Sequence, residues 1–215
     1  MSLFISLEGG EGAGKTTQIN RLADHLISLG HRVLTTREPG GTKEAESIRN
    51  LLVQRDGGDW DSMAEVLLLF AARVMHIEKV IKPALANNKI VICDRFSDST
   101  FAYQGYGRGL DLEKIKEIEH VSINAFKPEL TFILDIDVRQ GLERSNKRLS
   151  DQRGYEKTED RFERMDIIFH EKLRAGFLDI AKNNPQRCHV VDATKNVSDI
   201  GYIIRQKTIS VLDKK

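Results

Sequence analysis

Residues Gly9-Gly10-Glu11-Gly12-Ala13-Gly14-Lys15-Thr16 match the spacing G-x-x-x-x-G-K-[ST]. Glycines let a backbone turn successive N–H groups inward, toward anionic oxygens. The lysine adds a cation that reaches outer phosphates, and the threonine hydroxyl offers a hard oxygen to a divalent ion. An apolar run, Leu3 to Leu7, precedes the octapeptide, and a helical stripe of Ile19, Leu22, Ala23, Leu26 and Ile27 follows it. Strand, glycine-rich turn and helix N-terminus in that order make a phosphate cradle, a P-loop. Its triphosphate contacts are expected from Gly9, Gly10, Glu11, Gly12, Ala13, Gly14, Lys15, Thr16 and Thr17, with Mg²⁺ held through Thr16.

A second acid at a strand end is the usual companion of a P-loop. Ile90-Val-Ile-Cys-Asp94-Arg95 and Leu130-Thr-Phe-Ile-Leu-Asp135-Ile-Asp137 both supply one. Asp94 is favoured because Arg95 follows at once, setting a metal-directed carboxylate beside a phosphate-directed guanidinium. A transfer between two phosphorylated molecules needs both. Asp135 and Asp137 are assigned to the strand end and the following loop. A guanine-reading switch would carry Asn-Lys-x-Asp, and neither Asn88-Lys-Ile-Val nor Asn146-Lys-Arg-Leu has the acid.

These groups must be positioned by an alternating scaffold. Continuous apolar runs at Leu3–Leu7, Arg32–Thr36, Ile90–Cys93, Leu130–Leu134 and His189–Val191 read as strands buried on both faces. Helical patterns cover Thr17 to Leu29, Met63 to Leu85, Asp111 to Phe126, Asp166 to Ala181 and Asn196 to Leu212. On the second of these, Val66, Leu69, Phe70, Arg73 and Ile77 gather near one face. The pattern predicts a three-layer α/β/α fold with a parallel sheet of about five strands, in one domain over 1–215. Residues 139–164 are dense in charge and poor in apolar periodicity, which alone describes a solvated loop and helix end.

A net charge of +1 offers no general attraction to nucleic acid or an anionic membrane. Cys93 and Cys188 sit in apolar runs without metal-ligand spacing, as buried small hydrophobes in a reducing compartment do. No basic-then-apolar leader opens the chain and no apolar run approaches the ~20 residues that span a bilayer. A cytoplasmic location is expected.

The segment Asp94-Arg95-Phe96-Ser-Asp-Ser99-Thr100-Phe-Ala-Tyr103-Gln104-Gly-Tyr-Gly-Arg108-Gly resembles the signature of the bacterial thymidylate kinases. Arg37-Glu-Pro-Gly-Gly-Thr42, Leu69-Phe70-Ala-Ala-Arg73, Ile81-Lys-Pro-Ala-Leu and Asp192-Ala193-Thr194 are similar too, so the likeness covers nearly the whole chain. It implies transfer of the γ-phosphoryl group of ATP to dTMP, with Mg²⁺. Phe70 would stack on thymine and Arg73 would donate to a thymine carbonyl. Arg95 would hold the acceptor phosphate, and Ser99, Thr100 and Gln104 would line the base and sugar site. Tyr103 would crowd the sugar 2′ position, and Glu11 would bind near the 3′-hydroxyl and the metal. Pro39 would shape the pocket. Phe162 and Glu163 occupy the place where the family closes over the acceptor, with Asp94 and Glu163 also directed at the metal.

Members of this family keep the arginine for the transferred phosphoryl either in the P-loop or in a lid. This P-loop has none, which implies a mobile lid over about 144–164, with Arg153 preferred to Arg148. The acceptor is a phosphate oxygen whose second pKa is about 6, so no general base is needed. The catalytic set is then Lys15, Arg95 and the lid arginine. A kinase for another monophosphate, or for a deoxynucleoside with Glu8 or Asp94 as base, is the alternative; a nucleotide-binding switch is more remote. The resemblance also implies a homodimer, for which Met63 to Leu85 or Asp111 to Phe126 could supply the face.

Overall fold

Each apolar run is followed by at least one helix-length segment, long enough to carry the chain back and set the next strand parallel. The computed structural model describes residues 1–55, 58–151 and 159–215, the side chains of Arg148 and Asp151 excepted. Its strands are β1 (Leu3–Glu8), β2 (Val33–Arg37), β3 (Ile90–Asp94), β4 (Leu130–Asp135) and β5 (Cys188–Asp192). They form one all-parallel sheet in the order β2-β3-β1-β4-β5. All five expected strands are present. Carboxylates from Glu8, Asp94, Asp135 and Asp192 therefore collect at one edge of the sheet, where ligands of open α/β folds bind.

Side chains alternate across the sheet. Leu3, Ile5, Leu7, Ile90, Ile92, Leu130 and Phe132 pack against Ile19, Leu22 and Leu26 of α1 (Lys15–Ser28) and Ile200 and Ile204 of α9 (Val197–Leu212). Phe4, Val91, Cys93 and Ile133 face the opposite layer. That layer holds α3 (Ser62–His76), α6 (Leu112–Ile123) and α8 (Ile167–Asn183). β1, β3 and β4 are buried almost throughout, but β2 and β5 alternate between buried or half-buried and exposed positions. Full two-sided burial was expected of all five; the two edge strands depart from it because each has one neighbour and part of a face uncovered. Both cysteines are free and buried.

The expected helix Met63 to Leu85 is realised as α3, a π-helical turn at Ile77–Ile81 and a short α4 (Lys82–Ala86) with Pro83 in its first turn. After β3 comes α5 (Ser97–Thr100), which runs into a second π-helical turn, Phe101–Gly107. Neither that segment nor two further helices were expected. α2 (Lys43–Val53) starts at Thr42, whose hydroxyl accepts from the Ala45 amide. α7 (Val138–Asp151) turns the first half of the charged stretch into a helix. Among the described residues no helix is long and apolar enough to cross a membrane.

Candidate active site

At the end of β1 the chain enters the glycine-rich turn with Gly9, Gly12 and Gly14 at φ 132°, 67° and 88°. A Cβ on Gly9 would stand 2.4 Å from the Leu134 carbonyl oxygen, and one on Gly12 only 1.9 Å from that of Gly141 on α7. The loop is thus threaded between β4 and α7 by contacts that only glycine permits. α1 begins at Lys15, directing its N-terminal dipole at the loop. The buried Lys15 ammonium donates to the Gly9 and Gly10 carbonyls, both at 3.0 Å. Burial, then repulsion from Arg95, brings it down to about 8. The Thr16 hydroxyl donates to Asp94 Oδ2 at 3.1 Å.

Arg95 follows β3 with φ 67°, a left-handed conformation for a residue with a side chain. Its Nη1 donates to the Gly9 carbonyl at 2.9 Å and to Ser99 Oγ at 3.3 Å, and its Nη2 to Glu11 Oε1 at 3.1 Å. The guanidinium carbon lies 4.9 Å from the centre of the Tyr103 ring. The Tyr103 hydroxyl also donates to Glu11. Burial pushes the Glu11 carboxyl up, but Arg95, Lys15 and Tyr103 outweigh it and hold the group down at about 2. Glu11 is therefore a carboxylate at physiological pH.

The other end of the cleft is built on α3. Arg73, 2% exposed, donates through Nε to Glu38 Oε2 at 2.7 Å and through Nη2 to Thr100 Oγ1 at 3.0 Å. Its Nη1 has no hydrogen-bond partner among the described residues. His76 fixes Glu38 from behind, with Nδ1 2.9 Å from Oε1, and its Nε2 lies 2.7 Å from Thr36 Oγ1. Gln104 donates to Glu65 at 2.9 Å, while its Oε1 is likewise unpartnered. An orphaned donor and an orphaned acceptor on one cleft wall mark a site awaiting a ligand with the converse pattern.

A third wall comes from α7 and the residues around Phe162. Arg49 of α2 pairs with Glu159 through Nε at 3.0 Å and Nη2 at 2.6 Å, and Arg55 pairs with Asp160. Arg161 reaches both the Leu52 carbonyl, at 2.9 Å, and Glu65. Phe162 packs edge-on against Tyr103 with centroids 5.1 Å apart, and Ser145 Oγ donates to Glu163 at 3.3 Å. Among the described residues the cleft, open on one side, measures about 2140 Å³. A site for one small ligand is typically ~300–1,000 Å³, so there is room for two nucleotides.

The sequence model of the thymidylate kinase family matches residues 7–202. The chain belongs to the thymidylate kinase family. The protein named thymidylate kinase from Syntrophotalea carbinolica is 49% identical over 213 residues, 99% of this chain and 98% of that one. The one from Caulobacter vibrioides is 50% identical over 209 residues, 97% of each chain. The crystal structure of thymidylate kinase from Ehrlichia chaffeensis superposes with a TM-score of 0.72 at 39% identity, covering 98% of both chains.

Glu11, Lys15, Thr16, Pro39, Arg73, Asp94, Arg95, Ser99, Thr100, Tyr103, Gln104, Phe162 and Glu163 all line the one cleft, as do Gly12, Ala13, Gly14 and Thr17. Gly9 and Gly10 lie behind the loop instead. Phe70 does not line the cleft: it is buried in the core, with the Arg73 guanidinium carbon 4.6 Å from its ring centre. Asp135 is held by Arg174 at 2.7 and 2.9 Å, and Asp137 caps α7 through the Arg139 and Gln140 amides. The side chain of Arg148 and the whole of Arg153 lie outside the described residues. Glu38, Glu65, Arg49 and Arg161 were missed. A signal existed for Glu65, a lone acid inside Met63-Ala-Glu-Val-Leu-Leu-Leu69 that had to be either a surface residue or a buried one with partners.

Proposed function

We propose that this protein transfers the γ-phosphoryl group of ATP to dTMP, giving ADP and dTDP. One observation carries the acceptor assignment. Arg95 stands beside the P-loop, and farther along the same cleft wait the unpartnered Arg73 Nη1 and Gln104 Oε1. A thymine ring offers carbonyl oxygens to the donor and a ring N–H to the acceptor. The phosphate of the same nucleotide would reach Arg95. Ser99, Thr100 and Pro39, which line the cleft, would border the sugar and base, and Tyr103, tied to Glu11, would crowd the sugar 2′ position. Phe70 backs the guanidinium of Arg73, so a stacking role requires that guanidinium to move.

The donor phosphates would take over the Lys15 ammonium from the Gly9 and Gly10 carbonyls. Mg²⁺ binds through one or two protein oxygens together with substrate phosphates and water. The adjacent Thr16 hydroxyl and Asp94 carboxylate supply that number, with Glu11 and Glu163 farther along the cleft wall. When bound, the ion would neutralise charge on the phosphates. Lys15, Arg95 and a lid arginine, Arg153 ahead of Arg148, carry the rest of that charge, in a transfer dominated by positioning. Residues 144–164 are the lid, within a single 1–215 domain. The exposed Leu67 on α3 and Val121 on α6, helices that pack together, are the apolar start of a homodimer face.

A deoxynucleoside kinase would need a free carboxylate beside the 5′-hydroxyl. Glu8 does not line the cleft and both its oxygens are engaged, while Asp94 accepts from Thr16. The test is a coupled assay with ATP, Mg²⁺, a panel of monophosphates and thymidine. The expected result is dTMP used in preference to deoxyuridine monophosphate, with thymidine unused. Turnover of thymidine, or of adenylate or guanylate in its place, would overturn the acceptor assignment and leave the phosphate cradle standing.

A further inference from the structure

Arg95 adopts a conformation that side-chain-bearing residues avoid, and such a residue persists only where its surroundings over-determine it. The surroundings here are three consecutive residues. Leu7 accepts the Arg95 amide at 3.0 Å through its carbonyl. Glu8 accepts the next amide, Phe96 N–H, at 2.7 Å through Oε1, and the Ser99 hydroxyl at 2.6 Å through Oε2. Gly9 accepts the guanidinium itself at 2.9 Å. From the other side the Cys93 thiol donates to the Arg95 carbonyl at 3.0 Å. Of these contacts, those made by Glu8, Ser99 and Cys93 are made by side chains a substitution can remove without touching Arg95, and Ser99 bonds the guanidinium directly at 3.3 Å.

Glu8 has no exposed surface and plays no part in the transfer as described above. Its Cβ points to the same sheet face as Ser6. On that face Ser6 bonds Thr131 at 3.0 Å, and Arg187 clamps Asp98 with contacts of 2.7 and 2.8 Å. Asp98 lies inside the turn that Glu8 holds, so the turn is fastened at two points in a buried polar layer. We infer that Glu8 is a positioning residue that fixes the turn from Arg95 to Ser99, and so aims the guanidinium at the acceptor phosphate. The inference rests on the acceptor role given to Arg95 above. In effect β1 ends in one unit that grips the donor phosphates with Gly9–Thr16 and the acceptor phosphate through Glu8 and Arg95.

Burial, then the nearby Asp98, pushes the Glu8 carboxyl up to about 8; Glu8→Gln keeps the side-chain length and an acceptor oxygen for the Phe96 amide, with an NH2 that can donate to Ser99 Oγ. The experiment is calorimetric binding of dTMP and of thymidine to the wild-type chain, Glu8→Ala and Glu8→Gln, with circular dichroism to establish folding. A residue that aims a phosphate ligand affects dTMP and spares thymidine. A merely structural one affects both or neither. In Glu8→Ala the preference for dTMP over thymidine should fall about tenfold or more, the scale of lost hydrogen bonding around a charged group. Thymidine affinity should stay within about twofold, and Glu8→Gln should keep the preference within about threefold. If Glu8→Ala does not fold, Glu8→Asp replaces it, being one methylene too short to reach both donors.

An unchanged preference in the folded short variant overturns the inference, as does a Glu8→Gln protein as impaired as Glu8→Ala. A wild-type chain with no preference for dTMP over thymidine would bring down the role of Arg95 itself, and the inference with it. A wild-type preference retained by the short variant brings down the role of Glu8 alone.

Discussion

The Arg95 turn and the wall around Phe162 border the same cleft and are held by different physics. The turn is pinned by buried groups: Glu8 has no exposure, Asp98 is 3% exposed, and their partners are a backbone amide, a hydroxyl and a clamped guanidinium. The wall is held in part by ion pairs that reach water, with the Glu159 side chain 38% and the Arg55 side chain 50% exposed, and in part by the more buried Arg161, which bonds the Leu52 carbonyl and Glu65. Breaking a buried polar contact strands a desolvated partner, which costs far more than breaking a solvated ion pair. One side of the cleft is therefore a fixed frame, and the other a clasp of which the solvated pairs, Arg49–Glu159 above all, are the parts that break at low cost. A phosphoryl transferase needs both, since phosphates must be held in fixed geometry while water is excluded only after both nucleotides are aboard.

The largest expected effect falls on the proposed lid arginine. Replacing Arg153 by Ala should lower turnover about 10³-fold, the scale for an arginine that touches the transferring group, and leave dTMP affinity nearly unchanged. Steady-state turnover and dTMP binding, measured together, check it; unchanged turnover would return the role to Arg148 or to the frame. A smaller effect is expected where frame and clasp meet. Tyr103 binds Glu11 through its hydroxyl and Phe162 through its ring edge. Tyr103→Ala should lower the ratio of kcat/KM for deoxy over ribo acceptors by about tenfold, in the range of a single steric discrimination. A ratio that does not fall would place deoxyribose selection elsewhere in the cleft.

The contrast also explains what could be read from the sequence. The frame was legible because it is local: Gly9 to Thr16 and Asp94-Arg95 are contiguous, and the five strands are short apolar runs. The parts that complete it were not, because they join residues far apart in the chain. Glu8 meets Ser99 across 91 positions, Arg73 meets Glu38 across 35, and Arg187 meets Asp98 across 89. A buried acid looks like a surface acid until its partner is known. α2 and α7 were illegible for another reason. α2 buries only Ala45 and Leu52, and α7 is so polar that its apolar stripe disappears among charges. The two edge strands read as fully buried because an apolar run does not reveal how many neighbours it has.

The smallest predicted effect tests the clasp most directly. Arg49 is the one α2 residue that bonds both the wall, through Glu159, and the Pro39 carbonyl, at 3.0 Å from Nη1, beside the expected acceptor pocket. A partly exposed pair with two-point geometry lies at the upper end of the ~0.2–1 kcal/mol range for surface ion pairs, so Arg49→Ala should raise the KM for dTMP about fivefold and barely alter stability. Salt separates this from a packing defect. The Debye length falls from about 10 Å in 0.1 M salt to about 3 Å in 1 M, the contact distance of this pair, so the wild-type KM should rise toward that of Arg49→Ala as salt approaches about 1 M and the two should converge. A difference that persists at high salt would mean that Arg49 acts through its Pro39 contact and belongs to the frame. Convergence would mean that the wall closes on electrostatics alone, and that the cell's ionic strength sets how tightly the cleft is held.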